Sequence, residues 1–384
     1  MRWNVVLATL FGLGAATVLV TTEAPVDDPV WWYSNQTPPH LAILGPPGPL
    51  RGPVQGTIIL DPADRAHIVS VLVDGRPATP NGNRVDIDSA SMPDGQHQVE
   101  VVARDTSRSQ NRAGASWTFI SDNSPPKLSF SLDPSEGPTE GHTWLLRVTA
   151  DEPIEQLQGT ILDHELRLFE DGNGGYWAIA GVSPDPGYES VSVRLTASDA
   201  LGNRGNTEQS WGVQHATFPE EDDELALDPN QVAPEARAQE NSRLLAIYKQ
   251  DDGPKLWDGP FRMPVQGPVT TEFGTRRSYE YHPGLDFGAP LGSPVIAPAR
   301  GIVVFEGELP ARGNVLVLDH GAGVYSTYAH VQQFDVEPGA AVSPGQRIAR
   351  VGSTGFSTGP HLHWEMWVDG ANVDPLDWTR RSFP

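Results

Sequence analysis

Glycine and proline occur so often in this chain that they leave little room for long helices. Its 384 residues include 39 glycines and 36 prolines, and stretches with helical periodicity are scarce. Short segments in which apolar and polar residues alternate, separated by turn residues, are typical of β proteins. The sequence therefore predicts a mainly β protein, and its length predicts two to four domains.

The charge balance and the lack of cysteine restrict the function. The chain has 49 acidic and 26 basic residues, which give a net charge of −23, and it has no cysteine. This charge opposes binding to the phosphate backbone of nucleic acids and electrostatic attachment to anionic membranes. We therefore expect no nucleic-acid partner, no disulfide and no thiolate-bound metal.

A cluster of histidines and one aspartate near the C-terminus indicates a metal site. His361 and His363 lie in a segment with the pattern of a strand, where residues two apart point to the same face. His282 and Asp286 are four apart, which gives the same parity if that segment is extended. Two imidazoles and one carboxylate form a common ligand set for catalytic zinc, which keeps a fourth position open for water. The pattern therefore predicts a zinc-dependent hydrolase with one imidazole to spare.

Residues 260–378 resemble the lysostaphin-type (LytM-like) zinc metallopeptidases. The resemblance rests on the segments 273–277, 282–287, 294–298, 313–315, 319–321, 328–330 and 352–363. It implies an antiparallel β-sheet peptidase domain, the duplicated hybrid motif, which holds one Zn²⁺ per chain and cleaves peptide bonds in peptidoglycan. Carried over by residue, the family's metal ligands fall on His282, Asp286 and His363, and its catalytic histidines fall on His330 and His361.

The catalytic roles that the resemblance implies agree with the chemistry of imidazole. A neutral imidazole is the usual acid or base near neutral pH because its ordinary pKa is ~6.5. His361 would take a proton from the attacking water, and His330 would orient that water or stabilise the oxyanion. The sequence leaves open which of the two is the base.

Further residues in the matching segments are candidates for contact with the substrate. These are Asn314, Arg276 and Tyr328, of which Tyr328 shares strand parity with His330. A structural role is the alternative for Arg276, and packing beneath the sheet is the alternative for Tyr328. Glu365 shares strand parity with His363, and we expect it to form a salt bridge or face solvent rather than bind the metal.

Residues 40–213 contain an internal repeat. The segment 99–105 is echoed by 193–199, and a tryptophan follows each of the two final aspartates after twelve residues, at Trp117 and Trp211. Alternation interrupted by a turn indicates the last hairpin of a small sandwich. The pattern resembles bacterial immunoglobulin-like modules, over 40–123 and 126–213. We expect these to space the peptidase from the membrane, and binding to wall glycan or to cell-envelope proteins is the alternative.

An acidic connector and a helix are predicted over 214–258, between the repeat and the peptidase domain. The run 220–224 consists of glutamate and aspartate, which is typical of a solvated segment. The segment 229–250 is predicted to be a helix, with Pro234 in its first turn and an apolar side that includes Leu244 and Tyr248. This helix either packs on the zinc domain or covers its cleft as an inhibitory prosegment.

Residues 1–24 predict export. Arg2 precedes an apolar run over 5–20, which is long for the core of a signal peptide and short for a spanning helix of ~20 residues. Trp3 and the aromatic residues 31–33 flank this run, which favours an anchor in the inner membrane over a cleaved signal peptide. In both cases the peptidase domain would work in the cell envelope or periplasm.

Together these observations predict an exported zinc metalloendopeptidase that hydrolyses peptide bonds of peptidoglycan. The first alternative is a non-catalytic LytM-like regulator that binds and activates another cell-wall hydrolase. Relatives of that type typically lack one or more zinc ligands, whereas all three are present in this sequence. The second alternative keeps the chemistry and changes the substrate to secreted or host proteins rich in glycine.

Overall fold

The computed structural model describes residues 35–162, 164–221, 232–249, 253–277 and 280–384. The anchor or export signal predicted at 1–24 lies outside these residues. Contacts divide the chain into two compact units, one up to Pro126 together with Ser198–Arg204, the other formed by Lys127–Ala197 and Gly205–Pro384. Neither helix found in the described ranges is long and apolar enough to cross a membrane.

The first unit contains a pair of β-sheets, called here the first sandwich. Its strands are β1 His40–Leu44, β2 Pro49–Leu50, β3 Pro53–Asp61, β4 Ala66–Val73, β5 Arg76–Ala78, β6 Arg84–Asp88, β7 Gly95–Asp105 and β8 Arg112–Ser121. They form a sheet of order β1-β3-β6 and a sheet of order β2-β8-β7-β4-β5. Buried Trp117 packs between them. Its indole leaves no room for a Cβ at Gly45, because that atom would lie 2.1 Å from the ring.

The second unit begins with another pair of sheets, the second sandwich. Its strands are β9 Leu128–Asp133, β10 Thr143–Ala150, β11 Gln156–Ile161, β12 His164–Leu166, β13 Phe169–Glu170, β14 Tyr176–Gly181, β15 Ser190–Ser198 and β16 Arg204–Gly212. The two sheets have the orders β13-β14-β10-β9 and β12-β11-β15-β16. The immunoglobulin-like character of both sandwiches stays a prediction.

The repeated aspartates organise equivalent turns in the two sandwiches. Asp105 accepts hydrogen bonds from the backbone N–H and the side-chain amide of Asn111, at 3.0 and 2.9 Å. Asp199 accepts the same two bonds from Asn203, at 2.8 and 2.7 Å. The sequence repeat therefore corresponds to the same pair of aspartate–asparagine hydrogen bonds in the turns of the β7–β8 and β15–β16 hairpins.

The rest of the second unit forms the sheet that carries the histidine cluster. Its strands are β17 Val269–Thr271, β18 Leu285–Gly288, β19 Pro294–Ile296, β20 Gly301–Leu309, β21 Gly313–Asp319, β22 Val324–Ala329, β23 Gln333–Phe334, β24 Ala341–Val342, β25 Arg347–Arg350, β26 His361–Val368 and β27 Ala371–Val373. The main sheet has the order β17-β18-β26-β22-β21-β20-β24, with β27 also paired to β26, and a smaller sheet has the order β19-β25-β23. Every pair in the main sheet is antiparallel.

Two helices accompany this sheet, α1 Pro234–Tyr248 and α2 Pro375–Arg380. Pro234 lies in the first turn of α1, as predicted. Leu244 and Tyr248 of α1 are buried against the main sheet, where the Tyr248 ring stacks on Trp367 at 4.5 Å. The Tyr248 hydroxyl also forms a 2.6 Å hydrogen bond with Thr327. The helix is thus part of the core on one face of the sheet.

The second sandwich shares a hydrophobic core with the main sheet. Trp177 and Ile179 of β14 belong to the same buried cluster as Val368 and Val373 of β26 and β27. Polar contacts accompany this packing, because the Trp378 indole N–H donates to Thr143 at 3.0 Å. His142 and Asp377 form an ion pair with a 2.7 Å separation between Nδ1 and Oδ2.

We predict that replacing His142 with glutamine lowers the melting temperature more in acid than in alkali. The hydrogen bond to Asp377 raises the pKa of His142 above its ordinary value, against the opposing effect of burial. The stabilisation is therefore complete below about pH 6.5 and is lost as the pH rises through the raised value. Because solvent screens this partly exposed pair, we expect about 1 kcal/mol or less.

Melting curves at about pH 5.5 and about pH 9 would measure this difference, since the two values bracket the titration. Exposed His40 provides the matched control, because His40→Gln removes an imidazole that forms no ion pair with the residues that the structure describes. Equal losses of melting temperature at both pH values for His142→Gln would contradict the prediction.

Candidate metal centre

The register between β18 and β26 places the predicted ligands side by side. The two strands are antiparallel, and Asp286 is paired directly with His363 while Gly288 is paired with His361. Paired residues in neighbouring strands project from the same face of the sheet, and so do residues two apart along one strand. Asp286, His361 and His363 therefore point to one side, as the sequence predicts.

His282 enters the cluster from the turn that precedes β18. Its ring nitrogen Nδ1 lies 3.0 Å from the backbone carbonyl of Glu272, and its backbone N–H donates to Thr275. Gly284 allows this turn to approach β26, because a Cβ there would lie 2.5 Å from the carbonyl oxygen of Trp364. The close approach brings the His282 ring to 4.8 Å from the His363 ring.

His330 reaches the cluster by a different route. It follows the end of β22, where Tyr328 is paired with Trp364 and thus lies on the face opposite to His363. Strict alternation would send His330 to that opposite face as well. Its φ of 59° interrupts the alternation, and the ring comes to 4.7 Å from His361 and 5.9 Å from His363.

Three acceptor atoms converge at the centre of the cluster. His363 Nδ1 lies 2.8 Å from Asp286 Oδ1 and 3.0 Å from His282 Nε2, and His282 Nε2 lies 3.1 Å from Asp286 Oδ1. Atoms that all offer lone pairs repel one another at this distance unless a proton or cation lies between them. A tetrahedral zinc ion with bonds of about 2.0–2.1 Å would require only slightly wider separations. The three residues also form a group able to hold a metal ion.

The outer ring nitrogens of the four histidines fix their tautomers. Nδ1 of His282, His330 and His361 contacts a backbone carbonyl, and Nε2 of His363 contacts Glu365 Oε1 at 3.0 Å. Carbonyl and carboxylate oxygens only accept hydrogen bonds, so each outer nitrogen must carry the proton. Each imidazole, when neutral, therefore presents a lone pair to the centre, which is the arrangement that a metal ion and a general base require.

The charges in the cluster favour a bound cation. Burial alone would raise the pKa of Asp286, but His282 and His363 lower it well below its ordinary value, so it is a carboxylate. Burial, together with neighbouring His363 and His361, lowers the pKa of His330 to about 3, so its imidazole is neutral. Burial opposes protonation of His363 too, but its bonds to Asp286 and Glu365 raise its pKa to about 9. The centre therefore attracts a cation, either a proton or a metal.

Glu365 forms the salt bridge that the sequence predicts rather than facing solvent. Its side chain is fully buried and accepts hydrogen bonds from Arg312 at 2.6 Å and from the Trp367 indole at 2.7 Å. Burial alone would raise the pKa of Glu365, but the charge of Arg312 and the bond from His363 lower it to about 2. Sequence reasoning missed Arg312, because only its distance in space relates it to the histidines.

The three residues that were expected to contact the substrate make structural contacts in the protein. Tyr328 is fully buried, and its hydroxyl bonds to Ser326 within the core. Arg276 donates to the carbonyl of Pro184 at 2.8 Å and packs over the Phe218 ring. The side-chain amide of Asn314 donates to the carbonyl of Val331 at 3.1 Å, which supports the turn at His330. Among the described residues, Tyr328, Arg276 and Asn314 are absent from the wall of the cleft.

The cluster opens into a cleft of about 1030 Å³. One wall comes from the loops around the histidines, including Phe356, Ser357 and Thr358. Another comes from α1, which contributes Arg237 and Leu245 among others. Residues 356–358 therefore line one side of the cleft, and α1, which was expected to pack on the zinc domain or cover its cleft, lines another.

Comparison with known proteins identifies the segment that carries the cluster. Residues 280–375 match Peptidase family M23. The chain is 40% identical over 113 residues to the DD-carboxypeptidase/endopeptidase Mpg of Neisseria meningitidis, covering 28% of this chain and 26% of that protein. It is 36% identical over 137 residues to the peptidoglycan DD-endopeptidase ShyA of Vibrio cholerae, covering 34% of this chain and 32% of that protein.

Among solved structures, the catalytic domain of lysostaphin from Staphylococcus simulans matches with a TM-score of 0.26 and 29% identity, covering 36% of this chain and 96% of that domain. The chain spans about a quarter to a third of the length of the curated relatives described above. The resemblance stated from the motifs is confirmed, and the chain contains an M23 peptidase domain over residues 280–375.

We predict that Gly284→Ala destabilises the protein and weakens metal binding. The added Cβ would lie 2.5 Å from the Trp364 carbonyl and 3.0 Å from the His363 ring, so the turn that carries His282 must shift. Overpacking of this kind typically costs about 1–3 kcal/mol. Chemical denaturation of the metal-free protein and a zinc titration would measure the two effects.

Gly212→Ala is the matched control, because a Cβ at Gly212 meets no atom within 4 Å. An alanine at position 284 that leaves both the unfolding free energy and zinc affinity at parental values would show that this close approach does not position His282.

Proposed function

We propose that this protein is a zinc metalloendopeptidase that hydrolyses peptide bonds of peptidoglycan. The proposal is carried by the cluster itself, in which three acceptor atoms lie 2.8–3.1 Å apart beside two further imidazoles that point lone pairs inward. The cluster lies in the segment that matches Peptidase family M23. One relative over this segment is named a DD-carboxypeptidase/endopeptidase and another a peptidoglycan DD-endopeptidase, which supports the same class of substrate here.

The atoms that would hold the zinc ion are His282 Nε2, His363 Nδ1 and Asp286 Oδ1. Two nitrogens and one oxygen are a common donor set for catalytic zinc, and three protein ligands keep one position open. Zinc bound there would supply a nucleophile at neutral pH and polarise the scissile carbonyl. Glu365 would fix the ring of His363 through its Nε2–H, as carboxylates do for metal-bound histidines.

His361 is the better placed of the two remaining histidines to act as general base. Its Nδ1–H donates to the carbonyl of Gly359 at 2.8 Å, which leaves Nε2 free to accept a proton. Nε2 lies 3.7 Å from Asp286 Oδ1, whose negative charge would stabilise the imidazolium that forms. The same imidazolium can then donate its proton to the leaving amine.

His330 would orient the attacking water. Its Nδ1–H donates to the carbonyl of Thr354 at 2.8 Å, so its Nε2 can only accept a hydrogen bond while the ring is neutral. Burial and the neighbouring histidines lower the pKa of His330 to about 3, so the ring is neutral at neutral pH. A water that donates a hydrogen bond to His330 would be held beside the metal centre.

The cleft suits an extended peptide better than a bulky folded substrate. Its loop wall carries the small side chains Ser357 and Thr358 next to His361. Peptide cross-links of peptidoglycan are extended and carry small side chains, so we propose that the enzyme acts in the cell envelope or periplasm, where this polymer lies. Binding of cell-envelope proteins to the two sandwiches is a further part of this proposal.

We predict that the wild-type protein releases soluble muropeptides from purified peptidoglycan and that His363→Ala abolishes both release and zinc binding. His361→Ala and His330→Ala should keep the zinc ion but lower the rate by about 10²–10⁴-fold, because a positioned proton-transfer group is lost. Mass spectrometry of the products names the bond, and metal analysis of each variant reports the zinc content. His40→Gln serves as the control.

A wild-type protein that binds zinc yet releases nothing would show that the wall substrate is wrong. A wild-type protein that binds no zinc would exclude the metalloenzyme and favour the regulator. Removal of zinc with a chelator should stop release, and added zinc should restore it.

A further inference from the structure

A chain of buried charges runs from α1 to the metal centre. Glu240 lies on α1, Arg312 lies between β20 and β21, and Glu365 lies on β26. We propose that Arg312 is a positioning residue for the metal centre and that Glu240 holds Arg312 in place. The inference rests on the proposed zinc site and goes beyond it, because it makes a helix outside the M23 segment part of the support of a metal ligand.

The contact nearest to the centre joins Glu365 to His363. Glu365 Oε1 lies 3.0 Å from His363 Nε2 and accepts a hydrogen bond from it, so that Nδ1 is the nitrogen that would bind the metal. The same oxygen accepts a hydrogen bond from Arg312 Nε at 2.6 Å. Glu365 Oε2 accepts from the Trp367 indole at 2.7 Å. Three donors therefore fix the plane of this carboxylate, and Arg312 is the one that carries a permanent charge.

The second contact joins Arg312 to α1. Its Nη1 donates to Glu240 Oε1 at 2.7 Å and to Asn241 Oδ1 at 3.0 Å. Glu240 also accepts the backbone N–H of Ala311 at 2.7 Å and that of Arg312 at 3.3 Å. One glutamate thus holds both the guanidinium and the backbone that carries it. A buried carboxylate is costly without partners, and these hydrogen bonds supply the partners of Glu240.

Burial makes this arrangement specific. The side chains of Glu240 and Glu365 are 0% exposed, and that of Arg312 is 13% exposed. Two buried carboxylates share one guanidinium, whose planar fork can bond both at once. Removing Arg312 would leave Glu365 with one neutral donor besides His363, and its carboxylate would no longer be held in the plane that directs it at Nε2.

Helix α1 is part of the structure that supports the metal centre, in this proposal. The packing of Leu244 and Tyr248 holds α1 on the main sheet, and Glu240 lies one turn before Leu244. A helix attached in this way supports the centre from the side and also forms one wall of the cleft. The prediction of an inhibitory prosegment therefore gives way, in this proposal, to a helix on which metal affinity depends.

The test is zinc affinity in the full-length protein without substrate, so that any contact of Arg312 with a peptide does not enter. Zinc binding is measured by competition with a chromophoric chelator, and the ligand field is read from the visible spectrum after replacement of zinc by Co²⁺. Outer partners of metal-bound histidines typically contribute about 10–100-fold in affinity, so we expect Arg312→Met to bind zinc about 10–100-fold more weakly and to shift the cobalt bands. Glu240→Gln should change both in the same direction by less.

Arg312→Lys keeps the charge but lacks the fork, so its affinity should lie between the parent and Arg312→Met. Glu235→Gln is the matched control, because Glu235 is an exposed glutamate on the same helix. Its affinity and spectrum should equal those of the parent. Melting of the metal-free proteins identifies variants that fail to fold, and Glu240→Gln with Arg312→Lys then decide the result.

Parental affinity and an unshifted cobalt spectrum in folded Arg312→Met and Glu240→Gln would overturn the inference while leaving the zinc enzyme intact. A parent that binds no zinc would overturn both, and the absence of muropeptide release by a zinc-loaded parent would overturn only the substrate. If Glu365→Gln alone binds zinc more weakly, Glu365 supports His363 without help from Arg312, and the proposed role of Arg312 is wrong.

Discussion

The pairing of β18 with β26 is the constraint on which the centre depends. It sets Asp286 opposite His363, and a slip of one residue would turn either side chain to the other face. The opposite face of the same strands carries Leu285, Phe287 and Trp364, all buried in the core. A slipped register would therefore bury the carboxylate among apolar side chains and expose the core residues. Hydrophobic burial thus fixes the geometry of a polar site that lies on the other side of the sheet.

The second constraint acts from outside the cluster. Each inward-facing lone pair exists because an oxygen acceptor occupies the outer nitrogen, and three of the four acceptors are backbone carbonyls, those of Glu272, Thr354 and Gly359. Loop conformation therefore determines the protonation of the histidines, and the fold prepares the centre before any metal binds. The fourth acceptor is a carboxylate, so it is the position at which a distant charge can influence the site.

Sequence reasoning predicted those parts of the site that follow from strand parity and from motif. Asp286, His361 and His363 fall together because parity within β18 and β26 is simple, and the mainly β fold follows from the turn-rich composition. The parity rule failed for the pair Tyr328 and His330. His330 has a φ of 59°, so its side chain points to the face opposite to that of Tyr328. The structural contacts of Arg276 could not be predicted, because its partners Phe218 and Pro184 lie far from it in the sequence.

Other contacts that could not be predicted depend on elements that precede the M23 segment. The second sandwich contributes Trp177 and Ile179 to the core of the main sheet, and burial of each such side chain stabilises by roughly 1.5–3 kcal/mol. Glu221 forms an ion pair with Arg277 at 2.8 Å in the loop before His282, and Arg237 of α1 forms one with Glu280 at 2.8 Å. A domain boundary drawn at 260 from motifs alone would cut these contacts. The second sandwich, Glu221 and α1 therefore contribute to the core and the loops of the M23 segment.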